Sequence, residues 1–206
     1  QSGDPDTAVE TCMRGLRAFP GDCRLLTTLG GLALNEGDPE GAREWLAEAI
    51  KNCSNPSQLA FIGTIRSKTH LFEDDRAGSL ASLRSIPEDE QKTVSVLLAY
   101  GDHHTHFKNY PEAEVHYQQA FGKAPSNIAG LQRLVSFYRQ LKQVEKTLRY
   151  AETLVGLVDT LRARLSYLEL LLEADQGRAA LSLVEQLKED GFDEPIIKRL
   201  EAGARQ

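Results

Sequence analysis

The feature that most restricts this chain is a repeated offset between a glycine and a downstream alanine. Gly30, in Leu29-Gly30, precedes Ala42 by 12 residues, and Gly101, in Tyr100-Gly101, precedes Ala113 by the same 12. Around each alanine runs one phrase: a polar turn ending in Pro, then Ala, a large residue four later, a small residue three after that. It reads Gly37-Asp38-Pro39, Ala42, Leu46, Ala49 in one copy and Asn109-Tyr110-Pro111, Ala113, Tyr117, Ala120, then Pro125 in another. A third copy opens the chain as Gly3-Asp4-Pro5, Ala8, Cys12, Gly15, Pro20. Ala8 to Ala42 is 34 residues, and Ala42 to Ala113 is 71, two such periods plus three. Two unrelated amphipathic helices would share the glycine-to-alanine offset only by chance, so the chain reads as a repeat.

Small residues at fixed places in two successive helices have a packing meaning. Antiparallel helices that approach closely need small side chains where their axes meet, which Gly30 with Ala42 and Gly101 with Ala113 supply. Large residues at Leu26, Leu29, Leu46, Tyr100 and Tyr117 then fill the space between layers. One such pair leaves an apolar face uncovered, so neighbours must stack. Composition agrees: 41% of the 206 residues are hydrophobic, only 7% aromatic, and short Gly/Pro punctuations separate stretches without strand-like alternation.

These residues resemble the tetratricopeptide repeat, whose first helix carries a large residue, then Leu-Gly, and whose second carries Ala, an aromatic and Pro. The resemblance implies an all-α fold, an α-α superhelix of antiparallel helix pairs. Read on that period, a single array covers 1–206: a half-repeat at 2–21, repeats at 22–56, 57–91, 92–127, 128–159 and 160–192, and a half-repeat at 193–206. The 57–91 copy offers Phe61, Ile65, Ala77 and Leu80 and is expected to lack the small residue, with Pro87 early. The later copies rest on Leu131, Leu134, Tyr138, Leu148, Ala151 and Leu154, with Thr147 in place of Ala, and on Leu165, Leu168, Leu172, Ala180, Val184 and Leu187. The array opens on a second helix and closes on a first, with stackable Ala8, Val9 and Cys12 at one end and Ile196, Ile197 and Leu200 at the other. The expectation is a piece of a longer array.

Function is expected at the concave face, where first helices stand side by side. The register places Thr27, Gly31, Arg66, His70, Asp102, His106, Gln132, Ser136, Arg139 and Tyr167 there. Arg66, His70, Asp102, His106, Gln132 and Arg139 are the candidate partner-binding residues. Repeats of this family that grip acidic chaperone tails carry a Lys/Asn/Lys/Arg clamp; the corresponding places here hold Thr27, Gly31, Gly63, Ser95 and Ala99, which disfavours that ligand. The resemblance implies a protein-binding scaffold, similar to bacterial periplasmic scaffolds of exopolysaccharide export or outer-membrane assembly, with a periplasmic location favoured over a cytoplasmic one.

The net charge of −6 argues against a nucleic-acid backbone or an anionic membrane as principal partner. No apolar run approaches the roughly 18 residues that cross a bilayer. No nucleophile elbow, phosphate-cradling loop or His-Glu-x-x-His stretch is present, so a non-enzyme without cofactors is expected. His103, His104, His106 and His116 offer the alternative of a metal-binding accessory module built on His103 and His106, although no metal-type His spacing of four occurs. An antiparallel pair would bring Cys23 and Cys53 to one edge, where a disulfide is sterically conceivable. Since cysteine is commonly a small hydrophobe, free thiols are the expectation for these two and for Cys12.

Overall fold

A computed structural model describes residues 5–192 together with Pro195, Ile197, Lys198 and Ala202. The expected closing half-repeat, including Ile196 and Leu200, and the opening Gly3-Asp4 therefore lie outside the described residues, apart from those four positions. Among the described residues all regular structure is helical: α1 (Pro5–Ala18), α2 (Cys23–Asn35), α3 (Pro39–Asn52), α4 (Pro56–Phe72), α5 (Arg76–Arg84), α6 (Val94–His106), α7 (Tyr110–Lys123), α8 (Ile128–Gln140), α9 (Val144–Leu157), α10 (Leu161–Glu173) and α11 (Gly177–Glu189), with a 3-10 turn at Glu88–Glu90. The chain separates into two compact units, residues 1–123 and 124–206.

Local chemistry sets the helix starts. Asp22, Asp38, Asn55, Asp75, Asn127 and Thr160 each accept a hydrogen bond from a backbone N–H of the first turn of α2, α3, α4, α5, α8 and α10. Pro39 and Pro56 follow two of these caps, where a missing N–H costs nothing.

The helix ends carry the repeat more faithfully than the side-chain motif does. Gly37, Asp74, Lys108, Lys142 and Asp175 all have positive φ, at intervals of 37, 34, 34 and 33 residues. Each donates its N–H to a carbonyl three residues back, and the next residue donates to one five residues back: Gly37 to Leu34 and Asp38 to Ala33, Lys142 to Arg139 and Gln143 to Tyr138, and likewise at the other three turns. This left-handed cap satisfies orphan carbonyls at the end of the first helix and turns the chain into the second. The long interval also locates the three residues by which Ala42 to Ala113 exceeds two periods: α4, at 17 residues, is a turn longer than the 13-residue α2, α6, α8 and α10.

In the first unit Gly30 lies against Leu46 and the Ala42 carbonyl, and Gly101 against the ring of Tyr117. The 57–91 pair does have its small residue, contrary to the sequence expectation. Gly63 sits against Ile86 and the Ser82 carbonyl as Gly30 does against Leu46 and the Ala42 carbonyl. Ser82 and Ile86 thus take the roles expected of Ala77 and Leu80; Ala77 is exposed, while Leu83 is fully buried. The extra turn of α4 moved the contact out of the 12-residue register. Two core clusters result, one of Leu26, Ala42, Leu46, Ala49, Ile62 and Ile65, the other of Ala60, Leu83, Ile86, Val96 and Ala99.

A Cβ on Gly101 would lie 2.3 Å from Cε1 of Tyr117. That ring cannot swing aside: it is buried, and its hydroxyl donates to Asp102 at 2.8 Å. Gly101→Ala is expected to destabilise the first unit by about 1–3 kcal/mol despite alanine's better helix propensity. Gly122→Ala and Gly156→Ala, in exposed helical positions with nothing within 4 Å, should stabilise by about 0.5–1 kcal/mol. Denaturant melts of the three variants check this, and a stabilising Gly101→Ala would refute the close-contact account.

The cysteine expectation is corrected. Cys23, opening α2, and Cys53, the C-cap of α3, are joined in a disulfide with Cα atoms 5.5 Å apart. Antiparallel packing brings those two ends to one edge at a separation that suits a disulfide. Cys12 is free and buried, as expected.

In the second unit α8 packs on α9, α9 on α10 and α10 on α11. Tyr138 is fully buried, stacked on Tyr150 at 5.5 Å. Leu168, Leu171, Ala180, Val184 and Leu187 form the far core, and Ile197 is buried against it.

Candidate functional site

The two units treat their first helices differently. In the first unit α2 rests on α4 and α4 on α6, with Ile65 reaching towards Gly31. In the second unit the backbones of α8 and α10 stand further apart, bridged towards their C-terminal ends by Arg139 and Glu173, and the space between them is floored by α9. Small side chains on both walls, Ser136 on α8 and Ala163 and Ser166 on α10, leave room in this gap. The result is a hollow of about 610 Å³ whose apolar floor and walls include Val135, Leu154, Val155, Val158 and Leu170. Gln132, Arg162 and Tyr167 supply its larger polar groups, and burial raises the Tyr167 hydroxyl above its usual pKa, with Glu152 adding to the effect. A smaller hollow of about 270 Å³ adjoins it at Leu170, lined by Arg139, Lys142, Val144, Leu148 and Glu173 among others.

The six candidate residues fall in three settings. Gln132 lines the larger hollow and Arg139 the smaller, where its guanidinium pairs with Glu173. Both partners are about half exposed, so the pair contributes less than ~1 kcal/mol and is available for exchange. In the first unit the other four lie on α4 and α6. Asp102 accepts the Tyr117 hydroxyl. Nε2 of His106 lies 2.6 Å from Asp74 Oδ1 in the α4–α5 turn. Nδ1 of His70 is 2.9 Å from Asp75 Oδ2 but is left without a hydrogen bond, so the approach is electrostatic and too oblique for one. The Gly78 N–H, bonded to Asp75, holds that carboxyl below its usual pKa, with His70 a smaller contributor. Arg66 is half-buried and makes no ion pair among the described residues.

The histidines diverge rather than converge. His103 is buried, at 1% exposure, and its Nδ1 lies 2.9 Å from Ser79 Oγ, which is 2.8 Å from Ser67 Oγ. His104 stacks on His116 at 5.4 Å, and His116 on Tyr100 at 5.0 Å. Burial lowers the pKa of all three, that of His103 to about 4, helped there by the neighbouring charges of His104 and Arg76. Among the described residues no group of three His, Cys, Asp or Glu side chains is disposed to hold a metal ion. His103 turned towards Ser79 and His106 towards Asp74 therefore do not form the metal pair considered from sequence.

No family model matches the chain, and no curated protein matches it in sequence. Solved structures do resemble it. PilW, a widely conserved type IV pilus biogenesis factor, superposes with a TM-score of 0.68 at 13% identity, over 96% of this chain and 90% of that one. A tetratricopeptide repeat protein of Parabacteroides merdae gives 0.65 at 15% identity, over 99% and 79%. The fold is the tetratricopeptide-repeat fold. pilF of Pseudomonas aeruginosa has it too, at a TM-score of 0.62 and 18% identity over 95% of this chain and 82% of that one. On the tetratricopeptide-repeat frame the hollow of the second unit lies between the first helices of adjoining repeats. Sequence reading placed Gln132, Ser136 and Tyr167 on this face. It missed Arg162, Leu154 and Val155, the last two because an apolar residue on a second helix reads as core.

Proposed function

We propose that this protein is a non-catalytic scaffold that holds a protein partner in the cleft between α8 and α10. The observation that carries the reading is the open cleft itself, about 610 Å³ with an apolar floor, where in the first unit the first helices α2, α4 and α6 pack on one another. Gln132 and Arg139 are its contacts among the candidate residues. On the first unit, Arg66 is the candidate with an uncommitted charge, and His70, Asp102 and His106 would serve through whatever capacity their intramolecular partners leave. Among the described residues no helix is long and apolar enough to cross a membrane, which suits a partner met outside the bilayer. The Cys23–Cys53 disulfide supports an oxidising compartment, and the likeness to PilW supports work within an envelope assembly. No similar structure named above speaks for exopolysaccharide export.

Ser166 is exposed on the cleft wall, so Ser166→Trp fills the hollow without disturbing a core. Affinity capture from the source cell should retain a partner on the wild-type chain and lose it on Ser166→Trp, with helical circular dichroism unchanged. The same proteins retained at equal yield by both chains would remove the cleft from the reading.

A further inference from the structure

The charge of the cleft narrows what it holds. In a chain of net charge −6, the two adjoining hollows are lined by Arg162, Arg139 and Lys142 against one carboxylate, Glu173, already engaged by Arg139. Arg162 and Lys142 make no ion pair among the described residues. Arg162 stands at the N-terminal end of α10 and Lys142 in the turn after α8, at the far end of the trough, where Glu173 closes α10. From Arg162 to Glu173 the helix rises about 16 Å, the reach of about five residues of extended chain. Between these cationic ends Val135, Leu154, Val155 and Leu170, the last shared by both hollows, present apolar surface among the polar Gln132, Ser136, Ser166 and Tyr167.

We infer that the occupant is a short extended segment of a partner protein, with apolar side chains at its centre and a carboxylate at each end. The apolar centre buries against Leu154, Val155 and Leu170, which supplies affinity, while Arg162 and Lys142 pair with the flanking carboxylates and set its register. This rests on the scaffold reading above and adds the partner's chemistry to it.

A display library of short random peptides, panned on the whole chain, tests it. The expected enrichment is for apolar residues flanked on both sides by Asp or Glu. Anisotropy with the labelled consensus peptide should show binding about five- to tenfold weaker for Arg162→Glu and for Lys142→Glu, weaker in high salt, and lost in Ser166→Trp. Enrichment of basic or uncharged sequences, no enrichment, or acidic peptides indifferent to Arg162→Glu would each overturn the inference. If Ser166→Trp still releases the captured partner in those cases, the scaffold reading survives without it. Sedimentation showing that the chain self-associates through this cleft, and that Ser166→Trp makes it monomeric, would assign the cleft to a second copy and overturn the inference as well.

Discussion

Reduction of the Cys23–Cys53 bond is expected to lower the stability of the first unit by about 3–4 kcal/mol. The two cysteines are separated by 30 residues, and the bond closes the α2–α3 helix pair at the edge where α2 begins and α3 ends. Without it the unfolded chain regains the freedom of that loop, a gain that grows only slowly with loop length, so the cost lies between those of short and very long loops. Repeat folds couple each pair to its neighbours, so the loss should spread to α4 through the shared cluster of Leu26, Leu46, Ile62 and Ile65. Denaturant melts of the oxidised chain, the reduced chain and the Cys23→Ala/Cys53→Ala double variant measure it. The last two should coincide in reductant, and equal midpoints for all three would refute a structural bond.

Acid should weaken the same unit by about 3 kcal/mol through His103 alone, over the range from pH 6.5 down to 4. The ring is 1% exposed and held neutral, its pKa lowered to about 4 by burial first and then by the charges of His104, Arg76, His106 and Arg84. Once unfolded, the ring titrates near 6.5, so between those values the unfolded state binds the extra proton and is favoured. The stability His103 contributes is complete above pH 6.5, falls as pH drops, and is fully lost once the folded ring protonates below about 4. His104 and His116, also lowered by burial, act in the same direction, while Asp75, lowered by its backbone bonds, acts only below its unfolded value of 3.8. His103→Gln keeps a polar group for Ser79 and removes the titration. Its stability-versus-pH curve should be flatter than that of the wild type across this window, and an unchanged slope would show that His103 is not the acid-sensitive group.

Several elements were readable from residues alone because their causes are local. The close approach of Gly30 to Ala42 and Leu46, and that of Gly101 to Tyr117, follow from side-chain size at fixed helical spacing, and Asp22, Asp38 and Asn127 are caps by the reach of their own side chains. The turn at Gly37 carries its signal in glycine's tolerance of positive φ. The equivalent turns at Lys108 and Lys142 carry none, because there the left-handed conformation is imposed by the hydrogen bonds that close the two helices. Of the cleft, Gln132, Ser136, Arg139 and Tyr167 were legible from the repeat register, since that register states which face a residue occupies.

The amino-acid order by itself determined a stack of antiparallel helix pairs and the period on which they recur. Tertiary structure decided that Gly63 meets Ile86, that Cys23 meets Cys53, that His103 and His106 turn to different partners, and that α8 and α10 stand apart. The physical reason is range: a helical period depends on neighbours within a turn or two, whereas the width of a gap depends on how the side chains of three separate helices fill the same space.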